Sequence, residues 1–185
     1  HREAKKRLTL KSGQFYTSKP EPDGGVLNPD QKVIIYTGRA AREKIGRRRA
    51  NCDRNIEEEV KAGAQVVIYA NVQNYKESRD LAEDLRKLVV KLAGKDYPGK
   101  LVFAPRFTLA DQRALFAAAD IEVVDSDPHT EAAGFSETDG ASCGAIVVAP
   151  PWPDGEGILV SQGVKLDFDI EGEGNTLIPD VDVTE

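Results

Sequence analysis

The chain has 185 residues, 40% of them hydrophobic, which is enough to bury one core. A net charge of -6 and a sequence pI near 5.1 exclude a surface built wholly for nucleic acid or anionic lipid. No apolar run approaches the roughly 20 residues of a membrane-spanning helix, and the basic start HREAKKRLTLKSG lacks the apolar segment of a secretory signal.

Residues 2–11 carry five basic side chains and read as a short helix with a solvated basic face. Its abrupt beginning suggests one part of a longer protein. The breaker-rich stretch 12-SGQFYTSKPEPDGGVLNPDQ-31 reads as a surface loop. KVIIYTG (32–38), short, apolar and β-branched, is the first predicted strand of the main body. A helix with Asn55, Ile56 and Val60 follows and stops at Gly63. QVVIYAN (65–71) is the next strand. Leu81, Leu85, Leu88, Val89 and Leu92 then mark one face of a helix ending at Gly94. KLVFAPRF (100–107) predicts a third strand, LADQRALFAAAD (109–120) a helix and IEVVDS (121–126) a fourth strand. A short helix within 129–144 leads to a fifth strand, AIVVA (145–149). The last 25 residues hold seven acids and one lysine and read as an acidic tail.

Apolar strands alternating with helices imply an α/β domain, a Rossmann-like doubly wound parallel sheet over 32–160, with 1–31 as a basic helix and loop and 161–185 as the tail. Cys52 and Cys143 stand far apart in sequence and read as reduced thiols of an intracellular protein, cytoplasmic or plastid-like. Ligands of doubly wound sheets bind at the carboxyl ends of the strands. That rule selects TGRAAREK after the first strand, APRF after the third, and HTEAAGFSETDGASCG before the fifth.

In 37-TGRAAREKIG-46, Arg39 and Lys44 can grip a diphosphate from two sides, Arg39 as a planar fork and Lys44 as a point charge. The alternative is a basic helix start, which the helix dipole mildly disfavours. The segment is no Walker-type loop, since GxxxxGK is absent. The following Arg47, Arg48 and Arg49 lack interleaved aromatics and read as a solvated face, so no nucleic-acid partner is expected. In 125-DSDPH-129, Asp125, Asp127 and His129 are of types that suit Mg or Mn, yet an acidic turn at Pro128 is the simpler reading. No metal is therefore assigned.

Four stretches together resemble the C-terminal, nucleotide-sugar-binding domain of glycogen and starch synthases, which are two-domain (GT-B) retaining glycosyltransferases. TGRAAREKIG is similar to the family's Arg-x4-Lys segment. ALFAAADIEVV looks like its segment ending in an Ala-Asp pair, here Ala119 and Asp120. TEAAGFSETDGASCG resembles its acidic-pair motif, and 155-GEGIL-159 sits where the family has a Gly-Gly-Leu loop. The order and spacing agree from about residue 32 to 160.

The resemblance implies a donor of ADP-glucose or UDP-glucose, an α-1,4-glucan product and no cofactor. Glu131 would hold hydroxyls of the transferred sugar and Asp139 those of the ribose, while Arg39 and Lys44 neutralise the leaving diphosphate. Gly134, Phe135 and Ser136 would lie against sugar and phosphate, with Gly155 and Gly157 in the later loop. Phe107 matches a position where a ring can stack on the base; a core residue at a strand end is the equal alternative. Ala132-Ala133 replaces the family's Pro-Cys, Phe135 its Leu, and Asp139 a longer acid. The resemblance covers the donor half alone, and the glucan acceptor would bind through an N-terminal domain beyond this sequence. A non-catalytic nucleotide-sugar-binding or structural domain is the second reading. A Rossmann-like enzyme of other chemistry is weakened by the absence of GxGxxG after the first strand.

Overall fold

The computed structural model describes residues 1–8, 15–19, 27–41, 44–45, 49–124 and 135–148, with backbone alone at 7, 49–54 and 135–138. In chain order the elements are α1 (Arg2–Arg7), β1 (Tyr16–Thr17), β2 (Val33–Arg39), α2 (Arg49–Lys61), β3 (Gln65–Asn71), α3 (Lys76–Ala93), β4 (Lys100–Ala104), α4 (Leu109–Ala118), β5 (Ile121–Val123), α5 (Phe135–Ser142) and β6 (Ile146–Val148).

The strands line up as β1-β4-β3-β2-β5-β6, with β1 antiparallel at one edge and the other five parallel. Those five parallel strands, counted by themselves, run third, second, first, fourth, fifth, the order of a Rossmann-like doubly wound domain. The fold class read from the sequence is the fold observed.

Alternation along each strand feeds two cores. Ile34, Tyr36, Val66, Ile68, Leu101 and Phe103 point to the face covered by α2 and α3. Val33, Ile35, Val67, Tyr69 and Val102 point to the opposite face, beneath α1 and α4. Helix α3 seats Leu81, Leu85, Leu88, Val89 and Leu92 on the first face, and each such side chain contributes about 1.5–3 kcal/mol of transfer free energy. Helix α4 starts on a capping box: the Thr108 hydroxyl accepts from the Asp111 amide at 3.2 Å, and the Asp111 carboxylate accepts from the Thr108 amide at 2.8 Å.

The structure corrects two expectations at the amino end. The stretch 12–31 is not wholly a surface loop. Tyr16 and Thr17 pair with Phe103 and Val102, the buried Ser18 hydroxyl accepts from the Leu101 amide at 2.9 Å, and Leu27 is fully buried. A two-residue strand is too short for its alternation to register in sequence, whereas the surrounding Gly and Pro are conspicuous. Nor is the basic start simply solvated. Lys5 is buried, its ammonium 2.6 Å from Asp120 and 2.9 Å from the Gln31 carbonyl, while Arg2 pairs with Asp30 at 2.8 Å. Asp120 also accepts from the Val33 amide at 2.7 Å, so one carboxylate ties α1 to the start of β2.

Three predicted elements stop short. The third predicted strand ends at Ala104, because Pro105 has no N–H to continue the ladder. The fourth predicted strand ends at Val123 and the helix before it at Ala118.

Candidate functional site

In a doubly wound sheet the crevice opens where successive connections leave for opposite faces. Here that point lies between β2 and β5. From β2 the chain passes to α2 on the face of Tyr36; from β5 it passes to α5 on the face of Glu122 and Val147. The carboxyl ends of β2 and β5 therefore flank the position at which doubly wound domains bind ligands.

The β2 rim is built by TGRAA. Gly38 has a φ of +157°, a conformation that L side chains rarely adopt, and it carries the strand into Arg39. Arg39, last residue of β2, is exposed, while Ala40, Ala41 and Ile45 are buried. The turn is held by hydrogen bonds from the Ala40 amide to the Asn71 carbonyl at 3.0 Å and from the Lys44 amide to the Ala41 carbonyl at 3.1 Å. Lys44 is half-buried, its Cβ 3.9 Å from the point a Cβ on Gly38 would occupy. Arg39 and Lys44 thus both belong to the segment that closes β2, with Lys44 on the side toward which a Cβ at Gly38 would point.

The chain beyond β5 enters α5. Phe135 and Ser136 open that helix, whose first amides are donors without intrahelical partners, as at any helix start. Asp139 is exposed and lies about 6 Å along the axis from Phe135, at roughly 1.5 Å per residue. Glu122, in the middle of β5, is fully buried beneath this helix, and the Thr37 hydroxyl stands 3.4 Å from its Oε1. Gly140 of α5 sits directly on that carboxylate.

Beyond β3 and β4 the rim carries Tyr75, Arg106 and Phe107. Phe107 is half-buried and stacks on Tyr69, centroids 5.0 Å apart with 23° between planes, beside the α1/α4 core. One face of its ring is thus a core contact. Burial, and secondarily the charge of Asp111, hold the Tyr69 phenol well above its usual range, so it stays neutral. Tyr75 is 42% exposed, with its hydroxyl 3.5 Å from the Ala40 carbonyl. It was missed in the sequence because the loop after the second predicted strand was not among the three strand ends considered. The strand-end rule itself was the signal that could have found it.

Glu131, Gly134, Gly155 and Gly157 lie outside the described residues, as do Asp125, Asp127 and His129 and the acidic segment 161–185. Among the described residues no three His, Cys, Asp or Glu side chains gather as a metal site. None of the described helices is long and apolar enough to cross a membrane. Cys143 is an exposed free thiol.

The fold is that of a Rossmann-like α/β domain whose strand order reverses between β2 and β5. No family model matches the sequence, and no curated protein matches it. Among solved structures, the chain is similar to the N-terminal domain of trehalose-6-phosphate phosphatase from Candida albicans. Sequence identity is 14% and the TM-score 0.48, and the match spans 66% of this chain and 32% of that one.

Proposed function

We propose that this chain is the donor-binding domain of a retaining hexosyltransferase resembling glycogen and starch synthases, taking ADP-glucose or UDP-glucose. The observation that supports this most is that Arg39 closes β2 and Lys44 follows it, at the reversal of strand order where β5 leads on to α5. Two cationic side chains on one side and helix amides on the other suit a diphosphate.

In this reading the diphosphate is the leaving group. Charge develops on it as the glycosyl bond breaks toward an oxocarbenium-like state, and Arg39 and Lys44 neutralise that charge. Glu131 accepts hydrogen bonds from the sugar hydroxyls, and exposed Asp139 accepts them from the ribose. The acceptor glucan binds to a further domain, so this chain alone binds donor without turning it over.

Calorimetry with ADP, UDP and their glucose conjugates tests the reading. Arg39→Ala and Lys44→Ala should each weaken nucleoside diphosphate binding by about 1.5–3 kcal/mol, the scale of hydrogen bonds to charged groups, and leave nucleoside binding nearly unchanged. Absence of binding by the parent chain, or equal losses for nucleoside and nucleotide, would overturn it.

A further inference from the structure

A fully buried carboxylate is expensive to place. Glu122 is such a group, at 0% exposure on β5, one of the two strands that flank the crevice. In register it lies between Ile35 of β2 and Val147 of the edge strand β6, and its side chain rises from the last strand but one toward α5. Its Oε1 is 3.4 Å from the hydroxyl of Thr37, two residues before Arg39. On its other side is Gly140, where an added Cβ would stand 1.8 Å from Oε2 and 2.9 Å from Cδ.

That last geometry reverses an ordinary rule. Glycine inside a helix is less favourable than alanine, so Gly140 costs α5 helical stability. The gain is that the helix rests on the carboxylate itself, with no side chain between. Neighbouring Ala141 packs on Val124 and Val147, so the seat continues as an apolar contact along the same face.

We propose that Glu122 is a positioning residue. With Gly140 it sets the gap between α5 and the sheet, and thereby the place where the amino end of α5 meets a diphosphate held by Arg39 and Lys44. The part concerning the diphosphate rests on the function proposed above; the seating of α5 does not. A methyl group at 140 must lift the helix or swing the acid aside. Lifting the helix shifts the first amides of α5 relative to the cationic rim, and swinging the acid aside removes the support on which the helix rests.

Four variants of the full 185-residue chain test this: Gly140→Ala, Glu122→Gln, Glu122→Asp, and Gly140→Ala combined with Glu122→Asp. The shorter acid draws the carboxylate back by about 1.5 Å, one carbon–carbon bond, which is what the methyl needs. Calorimetry with ADP and with adenosine, and urea unfolding, are read together. Gly140→Ala should weaken ADP on the order of tenfold, one charge-assisted hydrogen bond, and adenosine less than about twofold. It should also destabilise the chain, against helix propensity. Adding Glu122→Asp should restore both, while Glu122→Gln, equal in size, should keep ADP affinity within about threefold of the parent.

A folded Gly140→Ala chain that binds ADP like the parent overturns the proposal, as does a double variant that regains nothing. Should Gly140→Ala fail to fold, recovery of folding on adding Glu122→Asp supports the seat, and no recovery overturns it. If the parent binds neither ADP nor UDP, the nucleotide reading falls by itself. The unfolding cycle then decides the seat: favourable coupling between the two substitutions upholds it, and additivity overturns it.

Discussion

Replacing Glu59 by Gln should make the protein more stable at pH 8 and leave it unchanged near pH 4. Glu59 lies on α2 above the buried Tyr36, whose hydroxyl donates to its two carboxylate oxygens at 3.1 and 3.3 Å. Burial raises this carboxyl from 4.5 to about 7, the Tyr36 hydrogen bond opposing the rise only in part. The folded chain therefore holds the proton more tightly than the unfolded chain does. The resulting stability is complete below pH 4.5 and is lost as pH climbs toward 7. At about 1.36 kcal/mol per pH unit the gap amounts to about 3 kcal/mol, and partial solvent contact reduces that to about 1.5–3 kcal/mol. Glutamine keeps the volume and an oxygen to accept from Tyr36, but it does not titrate. Urea unfolding of parent and Glu59→Gln from pH 4 to 8 should give curves that meet in acid and diverge by that amount at pH 8, about 3–12 °C in Tm. Curves separated by a constant offset across the range would refute the reasoning, since they would locate the effect in packing and not in the proton.

Lys5→Met keeps the aliphatic stem but strands the Asp120 carboxylate with the Val33 amide, so urea unfolding should show a loss of about 2–4 kcal/mol; a change under about 0.5 kcal/mol would mean that α1 is dispensable. Chelation with EDTA should leave calorimetric binding of ADP-glucose or UDP-glucose unchanged, because no metal has a part in the proposed site. Loss of binding restored by Mg or Mn would return attention to Asp125, Asp127 and His129. Glu131→Gln should weaken the nucleotide sugar more than the bare nucleoside diphosphate, whereas Asp139→Asn should weaken both equally, since both carry the ribose. If neither substitution separates the two ligands in calorimetry, the roles given to these acids fail.

The body of the fold was legible because its signals are redundant. QVVIYAN is apolar on both faces, which suits only a strand covered on two sides, and the strand observed is Gln65–Asn71. The helix with leucines at 81, 85, 88 and 92 is bounded by glycine where the chain does stop, at Gly94. The amino-terminal part was opaque for the opposite reason. Leu27 and Tyr16 are single anchors among breakers, and a single anchor has no period. Lys5 reads as solvent-facing by type, and only the folded chain shows that Asp120, 115 positions away, compensates its burial.

At the site, local sequence specified where the groups stand better than how they work together. The alternation of apolar and basic residues in GRAAREKI contains the instruction to bury Ala40, Ala41 and Ile45 and to expose Arg39. That instruction is local, so it can be read. The meeting of Glu122 with Gly140 is not local. Glutamate in IEVV reads as one polar residue in a short strand, and Gly140 reads as a flaw in a short helix. Each is unfavourable alone, and only the folded chain shows that the one leaves room for the other. Pairs of this kind escape a reading by periodicity because each member breaks the period. They belong where two chain segments must meet at a fixed distance, and the crevice between β2 and β5 is such a place.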